Sequence, residues 1–149
     1  MKYCRIPFLT LVLCFLALPA FAQSTKTDIF GYYFLEKPPK AFANISEINL
    51  GGDVGLKDKP PFYGLIRMTN KKAKDFLLLK PTLNGNDLTF STKSVGGISY
   101  TFKGTFTRLG NFPEERPESE VLLKGLLTKL KGKTKIAEAN VSFSYTAGD

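Results

Sequence analysis

The chain reads as an all-β single domain of about eight antiparallel strands in meander order, closed or partly closed into a barrel, with a two-layer sandwich as the alternative. Three observations predict it. Apolar and polar residues alternate with period two along most of the chain after residue 28. Short Gly-, Asn- and Pro-bearing segments separate the alternating runs. No stretch between them carries the 3.6-residue period of a crossover helix, which a parallel sheet would need.

The clearest strand is Ile98 to Arg108. Ile98, Tyr100, Phe102, Gly104 and Phe106 share one face, and Ser99, Thr101, Lys103, Thr105 and Thr107 share the other. A strand sorts two such sets onto opposite faces, whereas a helix scatters both. Glu120 to Leu130 is apolar on both faces. Lys135 to Tyr145 alternates again, with Ala137, Ala139, Val141, Phe143 and Tyr145 together. Lys131-Gly132-Lys133 turns tightly between these last two. Asn84-Gly85-Asn86-Asp87 is a hairpin signal between Asp75–Leu79 and Asp87–Thr92. Pro38-Pro39 and Pro60-Pro61 mark strand beginnings, because proline has no N–H for a ladder. Earlier strands are expected at Ile29–Leu35, Phe42–Leu50 and Phe62–Thr69.

Gly64, Gly104 and Gly125 lie inside apolar strands. Glycine weakens a strand unless curvature or close approach rewards it, and the coiling of a barrel does so. Phe102-Lys103-Gly104-Thr105-Phe106 and Leu123-Lys124-Gly125-Leu126-Leu127 resemble each other on neighbouring strands, which favours the barrel over the sandwich.

The first twenty-two residues carry an export leader. Lys2 and Arg5 precede an apolar core from Phe8 to Leu18, and Ala20-Phe21-Ala22 gives the small-x-small pattern of a cleavage site. The core is shorter than the roughly 20 residues of a membrane span. The expectation is a signal peptide over 1–22 and one domain over 23–149, periplasmic or extracellular. Cys14 invites a lipoprotein reading, but Leu13 is larger than the residue such a site places before its cysteine.

The leader holds both cysteines, Cys4 and Cys14, so the remainder has neither thiol nor disulfide. The full chain has a formal charge of +8; without the leader, 19 basic and 13 acidic residues leave +6. The lysines look dispersed, with Lys71-Lys72-Ala73-Lys74 the densest run. Dispersed lysine serves solubility and blunts strand edges, but it also attracts anionic surfaces.

The chain contains no histidine, which excludes histidine acid–base and nucleophilic triads. Without His or Cys, a zinc site has no ordinary ligands, and no metal or cofactor is expected. No phosphate-cradling glycine loop is present, only the dipeptides Gly51-Gly52 and Gly96-Gly97. A carboxylate cluster, Glu114, Glu115, Glu118 and Glu120, reads as a solvated loop rather than an acid–base pair or calcium loop. No enzymatic activity is expected.

Two binding faces stand out. Tyr32, with Tyr100, Phe102, Gly104 and Phe106, could line a ligand cavity; the facing glycines would leave room that side chains otherwise fill. Thr101 and Thr105 present hydroxyls on an outer face. The expected function is therefore a non-enzymatic exported barrel binding a small apolar or anionic ligand. One alternative is a structural or adhesive protein meeting an envelope polymer or partner protein through its surface. The other is a small outer-membrane barrel. No nucleic-acid partner is expected, and the oligomeric state is not encoded legibly.

Overall fold

The computed structural model describes residues 29–51, 63–110, 112 and 120–146. The expected leader and most of the acidic loop lie outside these residues. The strands are β1 (Gly31–Glu36), β2 (Ile45–Gly51), β3 (Tyr63–Met68), β4 (Phe76–Asn84), β5 (Asp87–Thr92), β6 (Ile98–Phe106), β7 (Val121–Lys131) and β8 (Thr134–Thr146). Each pairs antiparallel with the next, and β1 pairs with β8, so the sheet is a closed eight-stranded barrel. The barrel, not the sandwich, is the architecture. Closure gives every strand a neighbour on both sides, the β3–β4 ladder being the shortest, with Leu65 opposite Leu77 and Ile66 opposite Phe76.

Closure leaves an interior that large side chains can fill. An eight-stranded barrel is just wide enough to be filled by side chains. Tyr33, Phe90, Tyr100, Phe102, Phe106, Phe143 and Tyr145 point inward and are buried. Their rings meet edge-on or stacked: Tyr33 with Tyr145 at 5.5 Å between centroids, Phe90 with Phe102 at 5.2 Å, and Phe76 with Tyr100 at 4.9 Å. Such pairs add about 0.5–1.5 kcal/mol each beyond area burial.

The two ends are stoppered differently. Phe42, in a 3₁₀ turn over Lys40–Phe42, fills the end where β1 runs into β2. That residue had been expected to open a strand; the turn instead folds its ring under the barrel mouth. Phe112, Ile29 and the Tyr33 hydroxyl, which donates to the Ile29 carbonyl at 2.6 Å, fill the opposite end.

Bulges adjust the alternation. Between Ile45 and Glu47 the register slips, so Ile45 and Ile48 both face in. Between Val121 and Leu123 it slips again, and Leu122 and Leu123 are both buried. This accounts for Leu122, while Leu126 stays exposed on the outer face opposite Lys103 and Asn140. In β4 the strand runs through Pro81 to Asn84 rather than stopping at Leu79. The register shifts between Leu79 and Thr82, and Lys80 adopts φ 47°. A bulge is where a strand can absorb a proline.

Candidate functional site

Gly104 and Gly125 sit opposite each other in the β6–β7 ladder. A Cβ on Gly104 would lie 2.5 Å from the Lys124 carbonyl, and one on Gly125 would lie 2.5 Å from the Lys103 carbonyl. The strands approach too closely there for any side chain. The expected vacancy over these glycines is not present: the Phe102 ring lies across both, 2.7 Å from where the Gly125 Cβ would stand. An aromatic ring covering strand glycines restores the apolar contact they lack.

The inner set expected from the sequence divides. Tyr100, Phe102, Gly104 and Phe106 do share the inner face. Tyr32 does not join them. Its neighbour Tyr33 packs on Phe106 and Tyr145, so the pleat turns Tyr32 outward, opposite Asn49 and Thr146. Thr101 and Thr105 are on the outer face. Thr105 Oγ1 donates to Asp87 Oδ1 at 2.7 Å, and the half-buried Thr101 stands opposite Ser91 and Thr128.

The end around Tyr100 has a different chemistry. Tyr100 N–H donates to Thr92 Oγ1 at 2.9 Å, but the phenol hydroxyl meets no hydrogen-bond partner of good geometry among the described residues. Burial pushes that phenol up from its ordinary range, and the Asn44 side chain offsets part of the rise. Lys129 pairs with Tyr100 across the ladder and so faces inward, its Nζ 6.0 Å from the ring centroid. That is the outer limit of a cation–π contact. Ala137 and Ala139, the inward neighbours on β8, are small and only half-buried. Beside them Phe42 and Tyr100 are fully buried, so solvent stops at Ala137 and Ala139.

Around it lies a feature the sequence does not display as a cluster. In a closed meander, the β1–β2, β3–β4, β5–β6 and β7–β8 connections share one end. Hydrogen bonds tie them together there: Thr69 N–H to the Asn44 carbonyl at 3.0 Å, and Gly132 N–H to the Gly97 carbonyl at 2.9 Å. The first connection carries Lys37 and Lys40, and the second carries Lys71, Lys72 and Lys74. The third carries Lys93, and the last carries Lys133 beside Lys131 on β7. All are exposed, and none makes an ion pair among the described residues.

Acids at this end are already engaged. Asp75 Oδ1 accepts from Met68 N–H at 3.2 Å. Glu138 accepts from Lys135 Nζ and Thr128 Oγ1, each at 2.9 Å, and these donors hold its carboxyl below the usual range. The signal for the cluster was available: assigning each lysine to its predicted connection, and each connection to an end, gathers them.

At the opposite end, Arg108 pairs with Glu120 at 3.0 Å. The remaining acidic-loop residues lie outside the described ones. Among the described residues no group of acids, histidines or cysteines could hold a metal ion. No protein-family model, curated protein or solved structure matches this chain.

Proposed function

We propose that this chain is a non-enzymatic, exported β-barrel that binds an anionic partner through its lysine-bearing end. The observation that carries the reading is the convergence of exposed lysines from all four connections onto one rim, around the inward Lys129 and the buried Tyr100 hydroxyl. Positive charge concentrated on one face raises local counter-ion concentration and speeds encounter, more strongly than the same charge dispersed. The reading as a binder without enzymatic activity starts from the missing histidine, which removes histidine acid–base chemistry.

The reading of an apolar ligand deep inside the barrel has less support. Phe102 occupies the space over the paired glycines, and the surrounding rings are in mutual contact. An outer-membrane barrel also has less support. Such a barrel needs a continuous apolar band outside; Phe34, Leu77, Leu79 and Leu126 are exposed, but Thr89, Thr105, Lys103, Lys124 and Asn140 break any band on the outer faces of β5 to β8.

The test is retention on a sulfated-dextran matrix. Changing Lys71, Lys72 and Lys74 to Glu should move elution to much lower salt. Changing Lys80, Lys103 and Lys124 on the barrel wall to Glu alters net charge equally and should move it far less. Equal shifts would reduce the effect to net charge and refute a directed site.

A further inference from the structure

Resting on that reading, we infer that the anionic partner is a lipid bilayer surface rich in anionic headgroups, which the barrel meets end-on. The disposition of the lysines favours a plane. They stand on four separate connections around a rim, so a linear polyanion crossing the end reaches those along one line only, while a flat surface reaches all of them. Cross-bonds join the connections in pairs, the first to the second through Thr69 and Asn44 and the third to the last through Gly132 and Gly97.

An apolar side chain stands in the same rim. Ile136, 48% exposed, sits where the β7–β8 register slips, between Lys135 and Ala137 and close to the Lys131-Gly132-Lys133 turn. β7 and β8 are the longest strands described, at 11 and 13 residues, and this hairpin carries their common tip. A bare isoleucine among lysines costs solvation in water. At a headgroup boundary it enters the acyl margin while the amines stay with the phosphates. Of the acids at this end, Glu138 is held by Lys135 and Thr128, Asp75 accepts from the Met68 N–H and lies 3.9 Å from Arg67, and Glu36 accepts from the Ser144 hydroxyl.

The purified full chain is sedimented with phosphatidylcholine vesicles, with and without phosphatidylglycerol, and its sulfated-dextran elution is run in parallel. Binding is expected only with phosphatidylglycerol and should fall as salt rises. Changing Lys71, Lys72 and Lys74 to Ala should weaken vesicle binding by roughly a hundredfold, from about fivefold per lysine at an anionic surface. Lys80, Lys103 and Lys124 changed to Ala should leave it near the original value. Ile136→Asn should weaken vesicle binding while leaving the dextran elution unmoved.

Rim-dependent retention on dextran with no sedimentation on anionic vesicles would overturn the bilayer inference and leave the anionic-partner reading standing, with a soluble polyanion as the partner. Failure on both would overturn both. Vesicle binding indifferent to Ile136→Asn, or weakened as much by the wall variant as by the rim variant, would overturn the end-on placement.

Discussion

Phe102 and the glycine pair it covers form one unit at the scale of single residues. Phe102→Ala removes a buried ring whose site cannot collapse, because two backbones already touch beneath it, and should cost about 3–5 kcal/mol in urea unfolding. Gly125→Ala adds one methyl group but aims it at the Lys103 carbonyl, and should cost about 1–3 kcal/mol. Glu47 presents a different problem. It faces outward yet is buried, its side chain 5% exposed, with Oε1 2.9 Å from Arg67 Nη1 in an ion pair that lacks hydrogen-bond geometry. Burial raises its carboxyl above 4.5; Arg67 pulls it down and Asp75 adds to the rise. A carboxyl raised on folding binds more protons folded than unfolded, so its ionisation destabilises the native state as pH climbs through the folded value. The penalty is absent below the unfolded value and complete above the folded one. The melting temperature of Glu47→Gln relative to the original chain should therefore rise between acidic and neutral pH. A constant or falling difference would show that Arg67 outweighs burial. Tyr100→Phe should leave stability within about 1 kcal/mol, since it removes a hydroxyl whose desolvation is not recovered by a well-formed bond.

At the scale of elements, β4 is the informative strand. Its hairpin with β5 was legible from Asn84-Gly85-Asn86-Asp87, but its full length was not, because a proline reads as a stop. The bulge at Lys80-Pro81 reconciles the two by taking one residue into positive φ. Lys80→Val places a β-branched residue there and should lose about 1–2 kcal/mol, whereas Lys103→Val on a regular wall strand should not, as paired thermal melts would show. The same contrast marks what the sequence disclosed more widely. Alternation and turn residues located seven of the eight strands within three residues at each end, β4 running five residues past its expected end. Bulges erase the alternation locally. The inward turn of Ile45, the double burial of Leu122 and Leu123, and the outward turn of Tyr32 depend on register, which alternation alone does not set. The 3₁₀ turn holding Phe42 was missed for a related reason: one large apolar residue beside a strand looks like its first member.

For the molecule as a whole, the closing contact joins the first and last strands. Tyr145 and Phe30 are 115 positions apart, and Ser144 donates to Glu36 across 108. A chain stopped after Lys131 would lose β8 and open both β1 and β7, and should elute from size exclusion as aggregate rather than monomer. Pairing between such distant residues also predicts folding slower than that of a helical domain of this size, which stopped-flow fluorescence from the tyrosines would measure. The gathering of lysines belongs to this scale alone. In the linear chain they are scattered, and only the up-and-down order of eight strands stacks alternate connections at one pole.

The strands also settle where the backbone comes and goes. β1 begins and β8 finishes at the pole away from the lysines, paired through Tyr32 and Thr146. A linker, dye or affinity handle spliced in beside Gly31 or Thr146 therefore joins the barrel at the pole away from the cationic face. Immobilised by such a handle, the barrel turns that face toward the flowing phase, so a sensor chip would report what it captures without the attachment chemistry competing for the same amines.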